Sequence, residues 1–397
     1  VNKSFSLSDL FIFAVIILST FLLPALELGR FATVILIPLF FLKSFLTQPK
    51  RIKYIGNLKP IRYYLLFFGW ASISIFYAKY LEAAILTQSK FLIVLIFSLA
   101  VMSYSIISIH NLQIVYYSFI ITLILLFSFV IFSGLNLNQD TRIDDGLLNA
   151  NSYGYYIFNG LFACLIIYAQ LKKNKLIALI FLLPIIFFSF YIVIVSGSRG
   201  SFIILSLLVI IGFFIIYYVA TETKVKKGFV FILLISTGAY LASYSYTNYV
   251  KNSIVMDRFN QLEEKESPRS FHIRKAIEIG LTSPIIGIGA GNYAQTPKMI
   301  EKGSFSHNTY TEIFVNYGLI GLLVYFSFFI SMFRKTIKLV KRTDTQTKVT
   351  LYLMLLYLIL FLVYNMFYVT FLTAEFTSML FVILAHVHIL KSKIKQY

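Results

Sequence analysis

The chain has 397 residues, 59% hydrophobic and 18% aromatic, with only 13% charged, against roughly 25% in ordinary soluble domains; that balance excludes a soluble protein. The formal charge of +19, from 35 basic and 16 acidic residues, would point to nucleic acid in a soluble chain. In a membrane chain it reflects the lysines and arginines that orient the spans, so no nucleic-acid partner is expected.

Apolar runs of about 18 to 24 residues recur from end to end, each long enough to cross a hydrocarbon core about 30 Å thick at 1.5 Å per residue. Lipid leaves backbone hydrogen bonds unsatisfied, and these runs are too long and too uniformly apolar for barrel strands. The predicted class is therefore all-α, a polytopic membrane helical bundle. In chain order the spans are expected at residues 8–25, 29–46, 61–78, 84–105, 112–134, 151–171, 176–196, 201–220, 228–247, 307–331, 348–370 and 372–390. The first reads as a retained span, because Lys3 is the only basic residue ahead of it and no small-x-small cleavage pattern follows. With the N-terminus inside, twenty-two lysines and arginines fall in cytoplasmic segments, whereas the short outer loops carry only Arg30, Lys79, Arg142 and Arg199. The positive-inside rule then places both termini in the cytoplasm. Lys90 is the main candidate for a charge buried at mid-span. Cys164, the only cysteine, lies in an apolar run, which rules out an intrachain disulfide or a cysteine-based metal site.

Three regions follow: spans one to nine over 1–247, an outer loop over 248–306, and spans ten to twelve over 307–397. The loop carries eight basic and six acidic residues. Its stretch RSFHIRKAIEIGLTSP alternates apolar and basic residues as an amphipathic helix near the headgroups would. The next stretch, PIIGIGAGNY, is a glycine-rich turn; no strand precedes it, so it is not read as a nucleotide fingerprint.

Ionisable residues at the edge of a membrane bundle are functional candidates by default. In SGSRGS, residues 196–201, Arg199 sits in a turn whose glycines and serines let backbone donors approach a ligand, and its planar fork suits phosphate oxygens. The same arginine would also serve to snorkel to headgroups. Arg269, Arg274 and Lys275 form a second cationic group, with Phe271, Arg274 and Lys275 near one helical face; a headgroup-binding face is the alternative reading. His307 is the only histidine that opens a span on the outer side, where an imidazole of pKa about 6.5 suits a general base or a helix cap. Asn308 either orients that ring or caps the helix. Glu312 pairs with a cation or faces a watery vestibule, and Gly318 and Gly321 permit close helix packing. No His-Glu-x-x-His, Asp-x-Asp or cysteine cluster appears on the outer side, so neither a metal nor another cofactor is expected.

His307 and Asn308, followed after nine residues by Gly318 and Gly321, resemble the signature of the O-antigen ligase and polymerase superfamily, the WaaL/Wzy type. Arg199 after a short Ser/Gly turn, and a long outer loop between spans nine and ten, are similar to that family as well. Ile203 departs from the ligase form of the arginine motif, which has leucine there. The resemblance implies a GT-C-like bundle in the bacterial inner membrane, its active site facing the periplasm or cell exterior. It implies transfer of a glycan from undecaprenyl diphosphate to an acceptor hydroxyl with inversion, without metal or nucleotide. In that scheme Arg199 and Arg274 hold the diphosphate, Arg269 or Lys275 assists, and His307 deprotonates the acceptor. The partners implied are the lipid-linked oligosaccharide and membrane lipid, with room for a chain-length-regulating co-polymerase. The stretches NANSYGYY and SHNTYTEIFVNYGLIG resemble polymerases more closely, so a polysaccharide polymerase is expected. The alternatives are a ligase acting on lipid A core or another terminal acceptor, and a lipid-linked oligosaccharide transporter, although no matching pair of interrupted spans is seen.

Overall fold

The computed structural model describes residues 7–18, 54–132, 150–171, 175–220, 268–296 and 305–394, together with Leu39 and Leu42. Among the described residues the fold is all-helical. Its helices are α1 (Leu7–Ile17), α2 (Lys59–Ile73), α3 (Leu81–Ser105), α4 (Ile109–Phe132), α5 (Ala150–Gln170), α6 (Lys175–Val195), α7 (Arg199–Ala220), α8 (Pro268–Gly280), α9 (Thr309–Val340), α10 (Thr345–Tyr364) and α11 (Ala374–Ile394). Seven of them, α3, α4, α6, α7, α9, α10 and α11, are long and apolar enough to cross a membrane. This is a polytopic helical membrane protein. The expected second and ninth spans, 29–46 and 228–247, lie outside the described residues apart from Leu39 and Leu42.

Residues apolar around the whole circumference belong inside a bundle, and α5 and α11 are its central helices: Tyr153 to Leu165 and Phe376 to Val387 are buried almost without interruption. Because lipid is as apolar as leucine, helices associate through close van der Waals contact, which small residues permit. Gly154 on α5 shows this directly, since a Cβ there would collide with the Ser201 hydroxyl of α7 and the Tyr364 hydroxyl of α10. Gly160 faces Leu123 of α4 in the same way. Elsewhere aromatic rings fill the core in edge-to-face pairs, such as Tyr64 with Phe328 at 5.1 Å and with Phe381 at 5.3 Å between centroids.

Tyr54 meets His388, and Gln170 meets both His386 and Gln346, so the N-terminal ends of α2 and α10 and the C-terminal ends of α5 and α11 lie together, with the cations Lys59, Arg62, Lys175, Lys341, Arg342, Lys391 and Lys393 at that end of the bundle. Arg199, Arg269 and His307 lie at the other. Lys90 is exposed on α3 rather than buried, so no mid-span charge is sequestered there. The reason is register: buried Gln88, two residues earlier, faces the bundle and donates to Ser72 Oγ at 2.7 Å.

α9 is broken. Gly318 has φ 68° and ψ −168° in the middle of it, which frees the carbonyls of residues 315–317 and the following amides from their helical partners. Each is taken up by another element. Ile288 N donates to Val315 O at 2.9 Å and Gly289 N to Asn316 O at 3.0 Å, while Leu319 N reaches Pro284 O at 2.8 Å and Ile320 N reaches Ile285 O at 3.2 Å. The indole of Trp70 on α2 donates to Tyr317 O at 2.9 Å. The glycine-rich turn is therefore a backbone clamp seated in the broken helix. Gly287, at φ 77°, lies so close to Asn316 that a Cβ would clash, and a Cβ on Gly318 would strike Ile285 O. The expectation that Gly318 serves helix–helix packing is corrected: it admits a loop. Gly321 makes room for Tyr317 of its own helix, whose Cβ lies 2.5 Å from where a glycine Cβ would be.

A second departure concerns the last two spans. Residues 365–373 form a folded turn between α10 and α11 instead of being mostly helical, because this turn supplies the partners of the α9 N-terminus. Thr309 N donates to Asn365 O at 2.7 Å, Thr309 Oγ1 to Tyr368 O at 2.6 Å, and Asn308 Nδ2 to Met366 O at 3.2 Å.

Candidate functional site

Three helix N-termini meet at the cation-poor end. α7 begins after Gly197, at φ 66°; Ser198 caps it, its carbonyl accepting Phe202 N at 3.0 Å while its hydroxyl and that of Ser201 lie 2.8 Å apart. Arg199 is thus the first residue of the helix. α8 opens with Pro268, which lacks the N–H that a first turn leaves unsatisfied, and Arg269 follows. In α9, Asn308 is the N-cap, its side-chain oxygen accepting Tyr310 N at 2.8 Å and Thr311 N at 3.2 Å. Of the two roles open to Asn308, the structure shows the cap. Helix N-termini present unpaired N–H groups and the positive end of the dipole, which favours anions.

Arg199 and Arg269 line a single pocket with Ser198, Gly200, Ser201, Tyr364, Phe367 and Tyr368. Two guanidinium groups in one concave site fit a multiply charged phosphate better than any neutral ligand. The wall is braced from below: the Ser201 hydroxyl hydrogen-bonds the Tyr364 hydroxyl at 2.9 Å, and the Tyr155 and Tyr368 hydroxyls lie 3.3 Å apart. Gly200 lets the Phe367 ring pack against the first turn of α7, within 3.1 Å of where a Cβ would stand.

α8 separates the remaining cations. Ala276 and Ile279 face inward, forming a small apolar cluster with Tyr293 and Val315, and His272 is buried on the same side. Arg274 lies on the outer side, in a groove with Ile273, Ile277 and Leu281. Its guanidinium carbon sits 5.8 Å from the Phe271 ring, and Lys275 Nζ lies 5.9 Å from the same ring, so the shared face read from the sequence is present. Lys275 also pairs with Glu278 at 2.7 Å. The structure brings Arg199 together with Arg269, and sets Arg274 and Lys275 on other faces of α8.

His307 is half-buried and has φ 56°, the only positive φ outside glycine among the described residues. Backbone strain of this kind gathers at functional sites. Glu312 holds the strained turn in place: its Oε2 accepts Ser306 N at 2.9 Å and its Oε1 accepts Asn316 Nδ2 at 2.9 Å. It is buried, so the reading of Glu312 as a cation partner or vestibule residue gives way to one in which a carboxylate near the helix N-terminus ties down the turn before it. Tyr293 anchors α8 to the clamp, its hydroxyl donating to His272 O at 2.7 Å; burial, with a smaller contribution from Glu312, pushes its phenol above the ordinary range.

Sequence reading did not single out Tyr364, Phe367, Tyr368 or His272. The stretch YNMFYVT has no glycine or proline to mark a turn, and only its run of polar and aromatic residues within an apolar segment hinted at one. Among the described residues no three His, Cys, Asp or Glu side chains gather as metal ligands would.

The segment that carries Arg199, the arginines of α8 and the His307 turn is also the segment that known proteins share. Residues 184–326 match the O-antigen ligase family, Wzy_C. This Wzy_C match, over a little more than a third of the chain, contains every catalytic and diphosphate-binding candidate named from the sequence and supports the O-antigen polymerase and ligase superfamily as its kin. The pocket wall formed by Tyr364, Phe367 and Tyr368 lies beyond the Wzy_C segment. No curated protein matches the chain.

Proposed function

We propose that the protein is an inner-membrane glycan polymerase that transfers a growing chain from undecaprenyl diphosphate to a hydroxyl of another lipid-linked repeat unit. The observation that carries this reading is the shared pocket of Arg199 and Arg269, with His307, held in strained backbone, in ring contact with His272 one turn along α8 from Arg269. Arg199 and Arg269 hold the donor diphosphate, with Arg274 and Lys275 guiding its approach from the outer side of α8. His307 takes the proton of the acceptor hydroxyl, whose oxygen attacks the anomeric carbon. The bond to the diphosphate breaks on the opposite face, inverting that carbon, and the arginines stabilise the charge that develops there. The cation-rich end of the bundle lies in the cytoplasm by the positive-inside rule, so the site opens outward, where a lipid tail stays in the membrane and its sugar in water.

The ligase reading has an observation of its own: the matching family model is described as O-antigen ligase. Both are tested by incubating the purified protein in nanodiscs with a lipid-linked repeat unit and a chelator, without nucleotide. A polymerase yields a ladder of products that His307→Ala and Arg199→Ala abolish. Transfer only after a core lipid is supplied identifies a ligase. No bond formation with any acceptor overturns both and leaves a transporter.

A further inference from the structure

His272 is a histidine for which the reaction outlined above has no use, yet its surroundings single it out. It lies one turn after Arg269 on α8, so the two share a side of that helix. It is only 7% exposed, and among the described residues its buried Nδ1 has no hydrogen-bond partner. Buried polar atoms are paired almost without exception, and one that is not calls for a reason. The backbone of the residue is pinned through its carbonyl by Tyr293, while its ring stands edge-on to His307, with centroids 5.7 Å apart and planes at 62°.

We propose that His272 is a positioning residue for the base: its Nδ1 accepts the N–H on one His307 ring nitrogen while the other nitrogen takes the acceptor's proton, a bond that strengthens as the ring becomes charged. The proposal rests on the reading of His307 as that base. In the neutral tautomer with the proton on Nε2, Nδ1 offers a lone pair. The carboxylate that would ordinarily orient such an imidazole is Glu312, but its two oxygens are engaged by Ser306 N and the Asn316 amide. When the acceptor O–H bond breaks, its proton passes to one ring nitrogen of His307, while the N–H on the other ring nitrogen donates to His272 Nδ1. The oxygen's electron pair forms the bond to the anomeric carbon, and the electrons of the broken glycosyl bond remain on the diphosphate. The other ionisable groups around the pair are Arg269 on α8, Arg199 on α7, Glu312 on α9, Tyr293 in the clamp, and Tyr364 and Tyr368 on the far wall.

Full-length His272→Phe, His272→Gln and His307→Ala proteins would be compared with wild type in nanodiscs. The readouts are kcat and KM across pH and the titration of His307 followed by NMR of ring-labelled histidine. Phenylalanine keeps the packing and removes the acceptor. The expected result is a loss of about tenfold in kcat near pH 7, an unchanged KM for the lipid-linked donor, and a His307 titration moved to lower pH together with the acid limb of the rate profile. Glutamine, which accepts but does not titrate, restores part of the kcat. If His272→Phe matches wild type in both profile and titration while His307→Ala is inactive, His272 has no such role. Full turnover by His307→Ala would instead remove the base itself, and with it this proposal. Should His272→Phe fail to fold, the glutamine variant and its NMR titration decide the matter.

Discussion

His307 adopts φ 56°, a region that charges a side-chain-bearing residue about 1 kcal/mol relative to glycine. His307→Gly is therefore expected to raise Tm in detergent slightly while lowering turnover by about 10²-fold or more; a fall in Tm would mean the ring is held for packing. The arginines allow a sharper test. Arg269 shares the pocket with Arg199 and Arg274 does not, so Arg269→Ala should lower turnover by about 10²-fold, whereas Arg274→Ala should change it by less than about fivefold. Equal losses would restore Arg274 to the weight that the sequence assigned it. Arg199 and His307 were legible because a turn of Gly and Ser, and an imidazole at the mouth of an apolar run, stand out locally. The relative weight of Arg269 and Arg274 was not, because the side of α8 that faces the pocket depends on what docks against the helix.

The broken α9 and its clamp act as one unit. Gly318→Ala places a side chain at φ 68° and against Ile285 O, and a loss of about 2–3 kcal/mol in stability is expected, read as a lower Tm in nanodiscs. Trp70→Phe keeps most of the ring but leaves Tyr317 O without its donor, for about 1–3 kcal/mol. At the other end, Asp344 caps α10 by accepting Thr347 N at 2.9 Å and the Thr347 hydroxyl at 2.8 Å. These bonds hold its carboxyl below its usual pKa of 3.8. A depressed carboxyl pKa means that the capping contribution is complete above the unfolded value and fades as pH falls through the folded one. Asp344→Asn should therefore remove that acid-side dependence of Tm while retaining part of the cap. The clamp was not foreseeable from PIIGIGAGNY, because its partners are backbone groups 27 or more residues away that become available only once the helix breaks.

For the whole molecule, the separation of cations at one end from Arg199, Arg269 and His307 at the other predicts sidedness. Cys164 is buried, so a Cys164→Ala background permits single-cysteine labelling. Ser270 and Thr345 are both exposed, at opposite ends of the bundle. Ser270→Cys should react with an impermeant maleimide applied from the periplasmic side, and Thr345→Cys only after the inner membrane is opened. The reverse pattern would invert the topology and place the pocket in the cytoplasm.

Sequence by itself determined that this is a polytopic helical membrane bundle, because hydrocarbon admits no other solution for long runs of uniformly apolar backbone. It also marked Arg199 and His307. Only the tertiary structure decided that Arg269 is the second guanidinium of the pocket, that Tyr364 and Tyr368 form its wall, that Glu312 ties a turn and that His272 stands beside His307. Those relations join residues far apart in the chain and depend on which face each helix turns inward. In a membrane, where apolarity draws no distinction between lipid and neighbouring helix, small residues and backbone pairing make that choice, as Gly154 and the Gly318 break do here.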